Sequence, residues 1–181
     1  ILCPLLLNGS QGKVDAVAGV LALDEKLSAL IDFEKIIQHY CPKVSVVLLS
    51  YEGLHLIQDC LYSIEKIGCY PNLDLIVVDN GSSQPVKDFL RSYKARFPKI
   101  KLILHPENTG FAKGTNLGLA QAEGDYIILL NNDTFVTRGW VQVMLAHFRQ
   151  NPKLGLLGPV TNSIANEAKI KIHYKDMLDM Q

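Results

Sequence analysis

The sequence predicts an α/β fold built on a mostly parallel sheet that is flanked by helices. Short apolar runs alternate along the chain with longer stretches in which apolar residues recur at helical spacing. That alternation is typical of parallel βαβ units joined by right-handed crossovers. Each apolar run also stops abruptly at polar residues. Since open parallel sheets bind ligands just outside the carboxyl ends of their strands, we expect a site along that edge.

The individual elements follow in order from these patterns. Four apolar runs predict strands at residues 44–50, 73–80, 100–105 and 126–130. Helices are predicted at residues 54–67, around 86–93, at 111–120 and around Trp140, after which the chain leads to residues 154–160. The run at 126–130 has no polar break, which predicts a strand buried on both faces.

Composition and charge exclude several classes of protein. The 181 residues carry as many acidic as basic side chains, so the formal net charge is zero and no basic face for nucleic acid is indicated. No stretch approaches the roughly 20 apolar residues that a membrane-spanning helix needs. The four cysteines form no C-x-x-C pair, which disfavours a zinc or redox motif. Cys60 falls on the apolar stripe of the helix predicted at 54–67 and is interpreted as a core residue.

Residues 1–41 differ from the rest and are predicted to be a helical N-terminal extension or linker. Their apolar residues form a loose helical stripe on which no catalytic residue types gather. The boundary falls at Cys41-Pro42, because proline disfavours helix at the residue before it. The chain begins at Ile1 rather than at methionine, so we expect a piece of a longer polypeptide.

A polar cluster follows the fourth predicted strand. Asn131, Asn132, Asp133 and Thr134 bring a carboxylate together with amide and hydroxyl oxygens. These donors suit a hard divalent cation that shares its ligands with a substrate phosphate. The alternative is an Asx-type turn that closes the strand and caps the next helix, and turn chemistry gives it comparable weight.

The first two strands end in residues that could hold a nucleoside. After the first strand, Tyr51 can stack on a base while Ser50 and Glu52 hydrogen-bond to its edge. Asp79 directly follows the second apolar run and could hold a base or ribose group. The alternatives are a turn with a half-buried tyrosine, and Asp79 as a turn former with one of the serines at 82–83 capping the next helix.

The stretch after the third strand is rich in asparagine and glycine. Asn108 and Gly110 lie in a turn where the backbone could pass close to a ligand, and Asn116 lies near the start of the predicted helix. Helix N-termini favour anions through free N–H groups and the helix dipole. Gly114 and Gly118 fit that interpretation, or they allow close packing of the helix on the sheet.

Taken together, these strand ends resemble family 2 glycosyltransferases of the GT-A fold, a Rossmann-like architecture that binds nucleoside diphosphate sugars. The resemblance covers about residues 42–166. It is carried by VSVVLLSYEG, LIVVDNGSS, NTGFAKGTNLGLAQAEGDYIILLNNDT and LGLLGPVTNS. The pattern GF-A-x-G-x-N followed by LLNNDT is most similar to the rhamnosyltransferase-type branch.

The resemblance implies transfer of a sugar, with inversion, from a uridine or thymidine diphosphate donor to a hydroxyl of a glycan or lipid-linked saccharide acceptor. Such a hexosyl- or rhamnosyltransferase would serve cell-wall or polysaccharide synthesis in the cytoplasm or at the inner face of the membrane. Residues 42–166 would then be the nucleotide-sugar-binding domain. Residues 167–181 would begin an acceptor-side half that is truncated at the C-terminus.

The family's site residues carry over onto matching positions of this sequence. Asn132-Asp133 stands where the family has its Asp-x-Asp motif, so Asp133 would be the metal ligand for Mg²⁺ or Mn²⁺. The first acidic position of that motif is Asn131 here, which leaves Asp133 as the only charged ligand. The residues that would contact the nucleotide are Ser50, Tyr51, Glu52, Asp79, Asn108, Lys113, Asn116, Asn132 and Asp133.

An inverting transferase also needs a general base for the acceptor hydroxyl. In the family this acid lies well past the metal motif, where the sequence offers Glu167, Asp176 and Asp179 and favours none of them. We therefore expect this chain to bind donor without transferring sugar. The alternative is a non-catalytic nucleotide-sugar-binding module.

Two other nucleotide-binding classes fit less well. A sugar-1-phosphate nucleotidyltransferase is disfavoured because SYEGLHL has one glycine and neither Lys nor Arg. A dinucleotide oxidoreductase is disfavoured because no G-x-G-x-x-G follows the first strand.

Overall fold

The computed structural model of the chain describes residues 33–159. Helices and strands alternate along this range as the sequence predicts. We number them α1 Phe33–Tyr40, β1 Val44–Ser50, α2 Leu54–Tyr62, β2 Leu73–Asn80, α3 Gln84–Arg96, β3 Lys101–His105, α4 Phe111–Leu119, β4 Tyr126–Asn131 and α5 Trp140–Gln150. A π-helical segment, Ser63–Gly68, continues α2 over the last residues of the helix predicted there. The described residues 154–159 adopt no regular element.

The four described strands form one parallel sheet in the order β3-β2-β1-β4. The register aligns their carboxyl ends, with Ser50 opposite Asp79 and Leu49 opposite Asn131. The chain moves outward from β1 to β2 and β3, then returns to place β4 on the other side of β1. A crevice therefore opens between β1 and β4, the kind of switch point at which open α/β sheets bind ligands.

Helices cover both faces of the central strands. On one face, α2 and α3 pack their apolar stripes onto alternate residues of β1 and β2, where Leu48, Ile57 and Leu90 are completely buried. On the other face, α4 lies directly against β1 and β2. Gly118 allows this approach, because a Cβ atom there would lie 2.3 Å from Val47 Cγ1. Gly114 serves the same packing, so for these two glycines the packing alternative is confirmed.

The prediction that β4 is buried on both faces is wrong. Tyr126, Ile128 and Leu130 are only partly exposed, whereas Ile127 and Leu129 are 49% and 51% exposed. Ile127 and Leu129 are exposed because β4 is an edge strand of the described sheet and α4 packs over β1 and β2 instead. An unbroken apolar run indicates a strand but does not say whether neighbouring elements cover both of its faces.

A charged network joins the strands at their amino ends, opposite the predicted site. The Asp74 carboxylate accepts hydrogen bonds from Ser45 Oγ at 2.8 Å and from Lys101 Nζ. Glu123 bridges the Nζ atoms of Lys101 and Lys43 at 3.0 and 2.7 Å. Hydrogen bonds from Lys43 and then Lys101 lower the pKa of Glu123 to about 2. This network anchors the loop before β4 to the sheet.

Part of the predicted domain organisation lies outside the described residues. Only α1 and Cys41 represent the predicted extension at 1–41, and the boundary at residue 166 is not reached. The three candidate bases, Glu167, Asp176 and Asp179, also lie outside the described range. Within it, none of the helices has the length and apolar character needed to cross a membrane.

Candidate active site at the carboxyl edge of the sheet

Two polar side chains are fully buried where β1 and β2 end. Ser50 and Asp79 are opposite one another in the register, and both have no exposed surface. Asp79 Oδ2 accepts a hydrogen bond from the Ser82 N–H at 3.3 Å. Asp79 Oδ1 and Ser50 Oγ have no hydrogen-bond partner among the described residues. A buried polar atom without a partner costs roughly 1–3 kcal/mol, so these atoms are suited to meet a ligand.

Tyr51 lies directly beside this pair at the end of β1. Half of its surface is exposed to solvent. The structure thus brings an acceptor at Asp79, a hydroxyl at Ser50 and an aromatic ring together at one edge. An acceptor beside a ring can hold a planar heterocycle by stacking and by a hydrogen bond to its edge.

Glu52 lies at the same edge, but its carboxylate faces α3. The side chain accepts hydrogen bonds from the Ser83 N–H at 2.8 Å and from Ser83 Oγ at 2.7 Å. Its own N–H donates to Ser82 Oγ at 2.9 Å. Both carboxylate oxygens of Glu52 are thus hydrogen-bonded within the protein. The contact between Glu52 and a nucleoside stays a prediction.

Asn80 organises the turn between β3 and α4, a role that the sequence analysis missed. Its buried Nδ2 donates to Asn108 Oδ1 at 3.0 Å and to the Gly110 carbonyl at 3.2 Å. Its Oδ1 accepts from the N–H and Oγ1 of Thr109, both at 3.1 Å. The sequence feature that could have indicated this role is Asn80 itself, a second polar residue at the end of the strand sequence LIVVDN. Asn108 therefore shapes the turn with its oxygen, which also accepts from the Gly110 N–H at 2.9 Å.

The turn leads into the N-terminus of α4, which faces the same edge of the sheet. Gly110 precedes the helix with φ +81° and offers no side chain to cap it. The first N–H groups of a helix have no partner within the helix and attract anions. Lys113 and Asn116 are exposed on this first part of α4. This arrangement can receive phosphate oxygens.

The polar cluster after β4 forms a turn and also presents a carboxylate to solvent. The Thr134 N–H donates to the Asn131 carbonyl at 3.3 Å, and Asp133 is exposed. The cluster does not cap the next helix, since α5 begins at Trp140 after Gly139. Asn132 Nδ2 donates to the Glu52 carbonyl at 3.1 Å across the crevice between β1 and β4.

Cys60 lies beneath this turn and is completely buried, which confirms its interpretation as a core residue. Its Sγ lies 3.7 Å from the Asn131 carbonyl oxygen. Burial, and secondly the charge of Asp133, raise the pKa of the Cys60 thiol to about 12. The thiol is therefore neutral at physiological pH.

The donor set for a divalent cation is small. No group of three or more His, Cys, Asp or Glu side chains that could hold a metal ion is found in the part of the chain that the structure describes. At the end of β4, Asp133 offers one exposed carboxylate beside the amide oxygens of two asparagines. Oxygen donors suit Mg²⁺ or Mn²⁺, and Mg²⁺ is commonly held by one or two carboxylates together with substrate phosphates. The residues fit a cation shared with a diphosphate.

Sequence comparison identifies the family of the chain. The family model described as glycosyl transferase family 2 matches residues 45–179, and the chain belongs to that family. An uncharacterized glycosyltransferase of Haemophilus influenzae is 27% identical over 118 residues, which cover 65% of this chain and 36% of the relative. A poly-β-1,6-N-acetyl-D-glucosamine synthase of Staphylococcus epidermidis is 29% identical over 116 residues, which cover 62% of this chain and 27% of the relative. The chain thus spans about a third of the length of these relatives.

Solved structures share the fold. S. aureus TarS 1–349 aligns with a TM-score of 0.53 at 23% identity, covering 61% of this chain and 33% of TarS. The same TarS fragment in complex with UDP-GlcNAc aligns with a TM-score of 0.54, also at 23% identity, covering 61% of this chain and 32% of TarS. These likenesses confirm the predicted GT-A fold. The rhamnosyltransferase-like branch stays a prediction.

Proposed function

We propose that this chain is the donor-binding half of an inverting glycosyltransferase that uses a nucleoside diphosphate sugar. Family membership supports a glycosyltransferase, and the observation that carries the donor assignment is the buried, unpartnered Asp79 Oδ1 beside the half-exposed Tyr51. Transfer itself would be an activity of a longer polypeptide. Its acceptor would be a hydroxyl of a glycan or lipid-linked saccharide, reached in the cytoplasm or at the inner face of the membrane.

The nucleoside would bind where β1 and β2 end. Asp79 Oδ1 would accept the imide N–H of a pyrimidine, which removes the cost of leaving that oxygen buried without a partner. The pyrimidine ring would stack against Tyr51, while Ser50 Oγ would hydrogen-bond to its edge. Uridine and thymidine both carry this imide. UDP is the first nucleotide to test, because TarS, which shares the fold, was solved in complexes with UDP and UDP-GlcNAc.

The diphosphate would extend from the nucleoside toward the start of α4 and the turn after β4. Free N–H groups of α4, with Lys113 and Asn116, would bind phosphate oxygens. Asp133 would hold a Mg²⁺ or Mn²⁺ ion that the diphosphate also ligates. When bound, such an ion supplies Lewis-acid stabilisation of the negative charge on the departing diphosphate. The protein's own part is to fix the diphosphate between helix and turn.

Removal of the acceptor proton would need a general base. Among the described residues, Asp79 and Glu52 are engaged at the nucleoside side, and Asp133 is assigned to the cation. By resemblance to the family, the base would lie well past the turn after β4, outside the described residues. Glu167, Asp176 and Asp179 are the candidates within the chain, together with any acid beyond Gln181 in a longer polypeptide.

Calorimetric titration with UDP and Mg²⁺ tests the donor site. We expect Asp79→Ala to lower the affinity for UDP at least about tenfold, since a hydrogen bond to a charged group contributes roughly 1.5–3 kcal/mol. Asp88→Asn is the matched control, because Asp88 is an exposed acid on α3 whose carboxylate binds Gln84 and Arg91. Circular dichroism would confirm that both variants fold. Equal UDP affinity of wild type and Asp79→Ala would contradict the proposal.

A non-catalytic nucleotide-sugar-binding module is the second candidate. The observation that favours it is Asn131, which leaves the turn after β4 with one carboxylate where a cation would be held. A turnover assay on a longer polypeptide distinguishes the transferase from the binding module. Acceptor-dependent release of UDP from UDP-sugars supports the transferase, and tight binding of UDP-sugar without any turnover supports the module.

A further inference from the structure

Glu52 occupies a backbone conformation that side chains rarely adopt. Its φ is +53°, in the left-handed region, and the next residue, Gly53, has φ +64°. For a residue with a Cβ atom this conformation costs free energy, because the Cβ lies too close to the following carbonyl oxygen. Residues held in such regions persist only where the surrounding contacts fix them, and they cluster at functional sites.

Four hydrogen bonds to three residues hold Glu52 in place. The carboxylate binds the N–H and the hydroxyl of Ser83 at 2.8 and 2.7 Å. The Glu52 N–H binds Ser82 Oγ at 2.9 Å, and the Glu52 carbonyl accepts from Asn132 Nδ2 at 3.1 Å. One residue thus joins the end of β1 to the start of α3 and to the turn after β4.

These contacts form a continuous path across the edge of the sheet. Asp79 Oδ2 accepts from the Ser82 N–H, Ser82 Oγ accepts from the Glu52 N–H, and the Glu52 carbonyl accepts from Asn132. Asp133 is the next residue. The path therefore begins at the nucleoside side and ends beside the cation ligand.

We propose that Glu52 is a positioning residue that holds the turn at residues 131–134 against the nucleoside side of the cleft. Its carboxylate does not contact the nucleotide. It fixes the left-handed backbone of residue 52 through Ser83, and that backbone holds Asn132. The effect on donor binding rests on the proposed function, whereas the link between Glu52 and the turn does not.

Hydrogen exchange of the ligand-free chain tests the link directly. Glu52→Ala removes the carboxylate but keeps a Cβ atom, so the left-handed backbone of residue 52 stays strained and loses the contact that fixes it. We expect exchange to accelerate about tenfold or more at the Ser83 amide, a size that corresponds to loss of one hydrogen bond to a charged group. Exchange should also accelerate at the Thr134 amide, which donates to the Asn131 carbonyl within the turn that Asn132 holds in place. Glu52→Gln keeps one acceptor oxygen and should give an intermediate rate. Asp88→Asn should leave both amides unchanged.

The outcome at Thr134 decides the proposal. Faster exchange at Ser83 alone would show that Glu52 holds α3 but not the turn after β4, which overturns the proposal. Unchanged exchange at both amides overturns it as well. This measurement does not depend on any ligand, so it judges the link even if the chain fails to bind UDP.

Nucleotide titration then separates positioning from direct contact. For Glu52→Ala we expect the affinity for UDP with Mg²⁺ to fall about tenfold, while the affinity for uridine alone stays within about twofold. Glu52→Gln should recover part of the lost UDP affinity. An equal loss for uridine would make Glu52 a nucleoside contact and overturn the positioning role. Failure of the wild-type chain to bind UDP would instead refute the proposed function.

Discussion

Adding one methyl group at Gly118 tests why α4 carries glycines. A Cβ built at this position lies 2.3 Å from Val47 Cγ1 and 3.0 Å from Val78 Cγ2. Both contacts are with side chains of the central strands, which are buried and cannot move freely. Gly118→Ala must therefore push α4 away from the sheet or force Val47 out of its preferred rotamer.

Two opposing contributions set the size of the effect. Alanine is better than glycine inside a helix by about 1 kcal/mol. Forcing an extra methyl group into a packed core costs about 1–3 kcal/mol, and an approach of 2.3 Å favours the upper part of that range. We expect Gly118→Ala to lower the free energy of unfolding by about 1–2 kcal/mol. In a Val47→Ala background the nearest methyl is gone, so the same substitution should be neutral or stabilise by up to about 1 kcal/mol.

Urea unfolding of the four proteins in this double-mutant cycle, followed by circular dichroism, measures the difference. The predicted coupling between Gly118 and Val47 is about 1–3 kcal/mol, within the range seen for residues in contact. An equal effect of Gly118→Ala in the two backgrounds would refute the packing explanation. Stabilisation of the wild-type background by Gly118→Ala would refute it too.

The remaining predictions concern the cation, pH and turnover. Asp133→Asn should abolish the gain in UDP affinity that Mg²⁺ gives, while the free energy of unfolding should change by less than about 0.5 kcal/mol. If EDTA does not alter the affinity of the wild-type chain for UDP, the role of Asp133 as a cation ligand is contradicted. The lowered pKa of Glu123 contributes stability that is complete above its ordinary pKa of 4.5 and is lost as pH falls toward about 2. Glu123→Gln should therefore flatten the stability profile between about pH 4.5 and 2 in acid unfolding experiments, and an unchanged profile would exclude this contribution. The 181-residue chain should bind UDP-sugar yet show no acceptor-stimulated UDP release, because a positioned base contributes roughly 10²–10⁴-fold in rate; such release would place the base inside the chain.

The sequence predicted the strands and the edge where their polar ends meet, because hydrophobic periodicity directly reflects burial. The predicted bounds of all four strands agree with the observed bounds to within one residue. The exposure of Ile127 and Leu129 was not predictable in the same way. Whether both faces of a strand are covered depends on where distant elements pack, and an apolar run is compatible with either outcome.

The individual roles at the site were harder to predict than its location. The sequence shows that Glu52 and Asn80 follow apolar strands, but it does not show the direction of a side chain or a positive φ. Glu52 could reach a ligand or the start of α3, and only the three-dimensional path of β1 decides this. Asn80 is buried because the turn at Thr109 folds over it, a contact between residues 29 positions apart.

We propose that the carboxyl edge of the sheet binds a nucleoside diphosphate. An NMR titration of the ¹⁵N-labelled chain with UDP and Mg²⁺ tests it most directly, because backbone amides report where the ligand lies. We predict the largest shifts at Tyr51, Ser82 and the first turn of α4, with no shifts at the charged network around Asp74. Shifts confined to any other part of the chain, or no shifts at millimolar UDP, would contradict the claim.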